Sequence, residues 1–145
     1  MASTVWGISQ DEYLKRADSW PLNPDGEVLI GIKIEDKYAL ANTEKSLKTP
    51  GLGFAEWGPG DMAMSLGLTD VRRTNPPQLV QARARVFAGC KANKVNFLAA
   101  ESADMGRDVG EMIQECQEAG IVLVGAVEEA EAEKGRRLTK RTMPW

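Results

Sequence analysis

The run "EVLIGIKIE", residues 27–35, is apolar at most positions and closes on an acid. A strand without a polar face is one covered on both sides, and in globular proteins that is the strand of a parallel sheet flanked by helices. Three similar runs follow: "LGFAEWG" (52–58), "VNFLAA" (95–100) and "IVLVGA" (121–126). Between them the apolar spacing turns helical. "DKYALANTEKSLKTPG" (36–51) carries Leu40, Thr43 and Leu47 on one stripe and ends at Lys48, before Pro50. "PPQLVQARARVFAGCKANK" (76–94) opens on prolines and aligns Leu79, Ala82, Val86, Phe87 and Cys90. "DVGEMIQECQEAG" (108–120) aligns Val109, Met112, Ile113 and Cys116 and stops at Gly120. "EEAEAEKGRRLTKR" (128–141) starts acidic and ends basic, as the helix dipole prefers.

Upstream of the first strand, Ser9 with Glu12 three residues on forms a capping box and predicts a short helix over "SQDEYLKRAD" (9–18). "SWPLNPDGE" (19–27) is rich in turn formers. The order is therefore (α)βαβαβαβα, which means α/β class and a parallel sheet with right-handed crossovers. Two closures are open: a doubly wound sheet, or part of a (β/α)8 barrel. A full barrel takes about 250 residues and eight strands. This chain has 145 residues and about four strands, so the barrel alternative is half a barrel, a single domain over 1–145. No glycine-rich fingerprint opens a helix after the first strand, which counts against nucleotide binding.

Composition bounds the function. The net charge is −3 with signs well mixed, which argues against a surface for nucleic acid. No apolar run is long enough for a membrane span, and the N-terminus lacks the pattern of a secretory signal. Cys90 and Cys116 fall in helical segments and read as buried thiols, so the expected compartment is the cytoplasm. The chain has no histidine. That removes the commonest general base and the commonest transition-metal ligand. A metal site here is built from carboxylates and backbone oxygens, which favour Mg²⁺, Mn²⁺ or a similar hard ion.

Ligands of α/β folds sit at the carboxyl ends of the strands. Glu35 and Asp36 stand after the first strand, Glu56 and Asp61 in or after the second, and Glu101 after the third. Glu35 and Asp61 close neighbouring strands and can share a divalent cation. Gly58, Pro59 and Gly60, just before Asp61, bring backbone close to whatever binds there. The plainer alternative is capping: Asp61 of "MAMSLG" and Glu35–Asp36 of the helix after the first strand. Lys33 lies on the same strand face as Glu35, where it contacts substrate or pairs with an acid. Trp57 walls the pocket or belongs to the core. Glu56, Glu101 and the methionines of "MAMSLG" read as structural.

"LIGIKIED", "FAEWGPGDMAMSLG" and the tail "LTKRTMPW" resemble the C-terminal half of the HpcH/HpaI aldolase/citrate lyase family, from about residue 20 onward. The resemblance implies a (β/α)8 barrel and a metal-dependent carbon–carbon lyase acting next to a pyruvate enolate. It implies Glu35 and Asp61 as ligands of Mg²⁺ or Mn²⁺ (Co²⁺ is a third candidate). It implies the amides of Gly60 and Asp61 as the cradle of a carboxylate of pyruvate or another 2-oxo acid, with Gly58, Pro59 and Lys33 beside it. Relatives often carry a larger residue at position 60. The family's general-base histidine and substrate-polarising arginine come from earlier barrel strands that find no match here. The expectation is a split or partial enzyme that pairs with itself or with a complementary N-terminal half-barrel; the alternative is a catalytically silent binding or assembly module of the same fold.

Overall fold

Four parallel strands form the main sheet in the order in which they occur along the chain: Gly31–Ile34, Phe54–Trp57, Asn96–Ala99 and Leu123–Val124. The computed structural model describes residues 2–69, 76–99, 108–121, 123–124 and 129–140. In chain order the elements are α1 (Ala2–Trp6), α2 (Gln10–Arg16), β1 (Ser19–Trp20), β2 (Val28–Leu29), β3 (Gly31–Ile34), α3 (Lys37–Ala41), α4 (Thr43–Ser46), β4 (Phe54–Trp57), α5 (Pro59–Ser65), α6 (Pro77–Asn93), β5 (Asn96–Ala99), α7 (Val109–Ala119), β6 (Leu123–Val124) and α8 (Glu129–Thr139). The expected alternation of strands and helices is present and the sheet is parallel throughout.

Strand parity sorts the residues of the sheet. Ile34, Ala55, Trp57, Phe97 and Ala99 are buried on one face with Leu79, Ala82, Val86 and Cys90 of α6 and Met112, Ile113 and Cys116 of α7. Trp57 is therefore a core residue, 1% exposed. The other parity holds Lys33, Phe54, Glu56, Asn96 and Leu98, none of them buried. A doubly wound sheet reverses strand order at a switch point and covers both faces. Here the order runs one way, as the strands of a barrel do. Arg83 fastens α6 to α7 through two bonds to Glu115, and its guanidinium lies over the rings of Phe87 and Phe97. Both cysteines are buried thiols outside any disulfide, as expected. Among the described residues no helix is long and apolar enough to cross a membrane.

Three local expectations need correction. The run 27–35 is not one strand: Val28–Leu29 pairs with Ser19–Trp20 in a separate two-stranded parallel sheet, and the main sheet starts at Gly31. A side chain on Gly31 would collide with the far end of the ring of Phe54, its register partner. The helix expected up to Lys48 is two short ones broken at Asn42, whose side-chain amide donates to the carbonyl of Tyr38 and whose N–H is shared between the carbonyls of Tyr38 and Ala39. Of the two methionines read as packing residues, Met62 is buried and Met64 is 77% exposed. Glu101, residues 125–128 directly after β6 and the tail from residue 141 lie outside the described residues.

Candidate functional site

The two acid-bearing segments sit at the carboxyl ends of adjacent strands. Glu35 follows β3 directly. Asp36, next to it, caps α3: its Oδ1 accepts from the N–H groups of Tyr38 and Ala39 at 2.7 and 2.9 Å. The capping alternative thus holds for Asp36, leaving Glu35 free of that task. On the neighbouring strand, α5 begins with Gly58 at the N-cap and Pro59 at the first helical position, the place where a missing N–H costs nothing. Asp61 is in the first turn and does not cap the helix. It is exposed, and among the described residues its carboxylate takes no hydrogen-bond or ion-pair partner.

Gly58 connects the two segments. A Cβ on Gly58 would stand 2.5 Å from Oε2 of Glu35 and 3.0 Å from its Cβ. The carboxylate of Glu35 therefore occupies the space that a side chain at 58 would fill. A second tie lies further along, where the N–H of Lys37 donates to Oγ of Ser65, the last residue of α5. The loop after β3 and the helix carrying Asp61 are thus held at both ends of α5. Gly60 is different: a Cβ there meets nothing within 4 Å, so a larger residue fits without rearrangement.

Lys33 stands 3.1 Å from Oε2 of Glu35 and 3.6 Å from Oε1 of Glu56. Lys33 and Glu56 are register partners on β3 and β4, which puts the ammonium between acids of adjacent strands. The hydrogen bond to Glu35, then the charges of Glu56 and Glu35, raise the pKa of Lys33 above its ordinary value. Lys33 therefore makes the acid pairing that the sequence leaves open. Glu56, read as structural, pairs with Lys33; strand parity puts Lys33 and Glu35 on one face, and the β3–β4 register brings Glu56 beside Lys33.

A hard divalent cation suits this donor chemistry. Both candidate ligands, Glu35 and Asp61, are carboxylates, and Glu35 already holds a cation in the form of Lys33. Among the described residues no group of three or more His, Cys, Asp or Glu side chains could hold a metal ion. Mg²⁺ accepts such sparse sets because it keeps several waters or substrate oxygens.

Several solved structures share this fold over most of the chain. An HpcH/HpaI aldolase/citrate lyase family protein from Burkholderia cenocepacia J2315 matches with a TM-score of 0.60 and 24% identity, over 97% of this chain and 49% of that one. RipC from Yersinia pestis matches at TM-score 0.57 and 24% identity, over 81% of this chain and 54% of that one. Macrophomate synthase matches at 0.56 and 19% identity, over 82% and 40%. The shared feature is the fold, and the chain spans about half the length of these relatives. No family model and no curated protein matches the chain.

Proposed function

We propose that the chain is part of a metal-dependent carbon–carbon lyase of the HpcH/HpaI aldolase type, a half-barrel that holds a divalent cation and the carboxylate of a 2-oxo acid such as pyruvate. The observation that carries this reading is the fit of the Glu35 carboxylate into the space left by Gly58, which joins the two acid-bearing strand ends. Glu35 and Asp61 are the ligands. The N–H groups of Gly60 and Asp61 cradle the substrate carboxylate, with Gly58, Pro59 and Lys33 beside it. When bound, the cation supplies Lewis-acid polarisation of the 2-oxo group. The chain's own residues bind and orient; the general base and the polarising arginine belong to a second half-barrel, from another copy or another chain. The rest of the barrel covers the sheet face that carries Phe54 and Leu98, and the assembly is at least a dimer.

A second reading, a silent module of the same fold, is favoured by the ion pair that Lys33 makes with Glu35, since a lysine there already satisfies the acid. Thermal unfolding in EDTA and in Mn²⁺ separates the two. A ligand that binds only the folded state raises the melting temperature by mass action. Mn²⁺ is expected to do so for the wild type but not for Glu35→Ala or Asp61→Ala. A wild type indifferent to Mn²⁺ and Mg²⁺ rejects the lyase reading, and a metal-dependent rise that survives in both variants rejects this site.

A further inference from the structure

We propose that Lys33 is the built-in counter-cation of this site: without metal its ammonium compensates Glu35 and Glu56, and it competes with a divalent cation for Glu35. This rests on the reading above that Glu35 and Asp61 hold the cation. Three features argue for it. Glu35 and Glu56 are only 24% and 23% exposed, so water screens their repulsion poorly. Lys33 reaches both, at 3.1 and 3.6 Å, and the β3–β4 register fixes it between them. The oxygen of Glu35 nearest Lys33 is Oε2, the one packed against Gly58, so the carboxylate is pinned on one side by backbone and on the other by the ammonium. Asp61 has no such partner among the described residues and is open to a metal.

A divalent cation taking Oε2 of Glu35 displaces Lys33 from it and leaves Glu56 as the acid beside the ammonium. The price of metal binding is set by that exchange. Lys33 is 55% exposed, so replacing it leaves the core intact. The test compares wild type with Lys33→Gln, Lys33→Met and Lys33→Arg by Mn²⁺ calorimetry and by thermal unfolding in EDTA. A unit positive charge a few ångströms from a divalent ion at a half-exposed site changes affinity by about tenfold, roughly 1.4 kcal/mol. Lys33→Gln and Lys33→Met are expected to bind Mn²⁺ about tenfold more tightly, yet to melt below wild type in EDTA, while Lys33→Arg stays close to wild type in both. Unchanged or weaker Mn²⁺ binding in the neutral variants, with binding still lost in Asp61→Ala, overturns the competition and leaves the metal site standing. An unchanged melting temperature in EDTA overturns the compensation. No Mn²⁺ binding by wild type or variants overturns the inference together with the metal site.

Discussion

Gly58→Ala probes the junction of the two acid-bearing segments directly. The added methyl group would lie 2.5 Å from Oε2 of Glu35, about 0.9 Å inside the 3.4 Å at which ordinary contact begins, and 3.0 Å from Cβ of Glu35. The oxygen ends a flexible side chain and can swing away, whereas the Cβ moves only with β3. The backbone at Gly58, φ −106° and ψ 92°, suits alanine, so the cost is steric. Overpacking of this kind costs about 1–3 kcal/mol. Losing the Lys33–Glu35 pair adds little, because pairs open to solvent are worth about 0–1 kcal/mol. The expected result is a loss of about 1–2 kcal/mol in urea unfolding with an unchanged slope, and a melting temperature about 2–8 °C lower. The Mn²⁺-dependent rise should fall with it, because the carboxylate is displaced. Gly60→Ala is the control: with nothing within 4 Å, its effect should stay within about 0.5 kcal/mol of wild type. Equal effects of the two alanines would refute the packing of Glu35 on Gly58.

Arg85 holds Glu44 through paired 2.8 Å contacts and pulls its pKa down to about 2. A depressed carboxylate pKa adds stability above the unfolded value and loses it as pH falls, so Glu44→Gln should be less stable than wild type at pH 6–7, with the gap closing between about pH 4.5 and pH 2. Burial, with Cys116 nearby, pushes the Cys90 thiol up to about 12. Both thiols should resist a thiol reagent in the native state and react on unfolding, and rapid labelling of native protein would contradict their burial. Light scattering at micromolar concentration should give at least twice 15.8 kDa, and a sharply melting monomer would count against the half-barrel. The purified chain alone should show little aldol cleavage even with metal, since a positioned base typically supplies 10²- to 10⁴-fold; robust turnover lost in Asp61→Ala would show that this half is sufficient.

Much of the fold was legible because each element carries its own signal. Ser9 caps α2 by accepting from Glu12, and Gly120 ends α7 with a left-handed φ of 71°. Where reading failed, the cause was tertiary for the strands and local for the helix. A continuous apolar run has no alternation to mark where one sheet ends and another begins; the break at Ile30 arises because Val28–Leu29 pairs with Ser19–Trp20 while Gly31–Ile34 pairs with Phe54–Trp57. Asn42 ends a helix through bonds to its own preceding turn, which helical spacing alone does not reveal. The sequence offered Asp61 as the cap of the next helix, but that helix starts two residues before it, with Gly58 at the N-cap and Pro59 at its first position. At the site, the segregation of Glu35 and Asp61 to strand ends was visible in the sequence. The convergence of Lys33 on Glu56 was not, because register between strands is not written in either strand alone.

The one-way strand order leaves β3 at an edge of the main sheet, with β4 as its only neighbour among the described residues. Edge strands open more readily than central ones, so local fluctuation that releases β3 would scatter Lys33 and Glu35 while β4 and β5 stayed paired. Amide exchange along Ile32–Ile34 then becomes a gauge of site assembly, separate from global unfolding. Whatever seats Glu35, be it an ion or a partner chain added beside β3, should slow exchange in this strand before it changes any other part of the sheet.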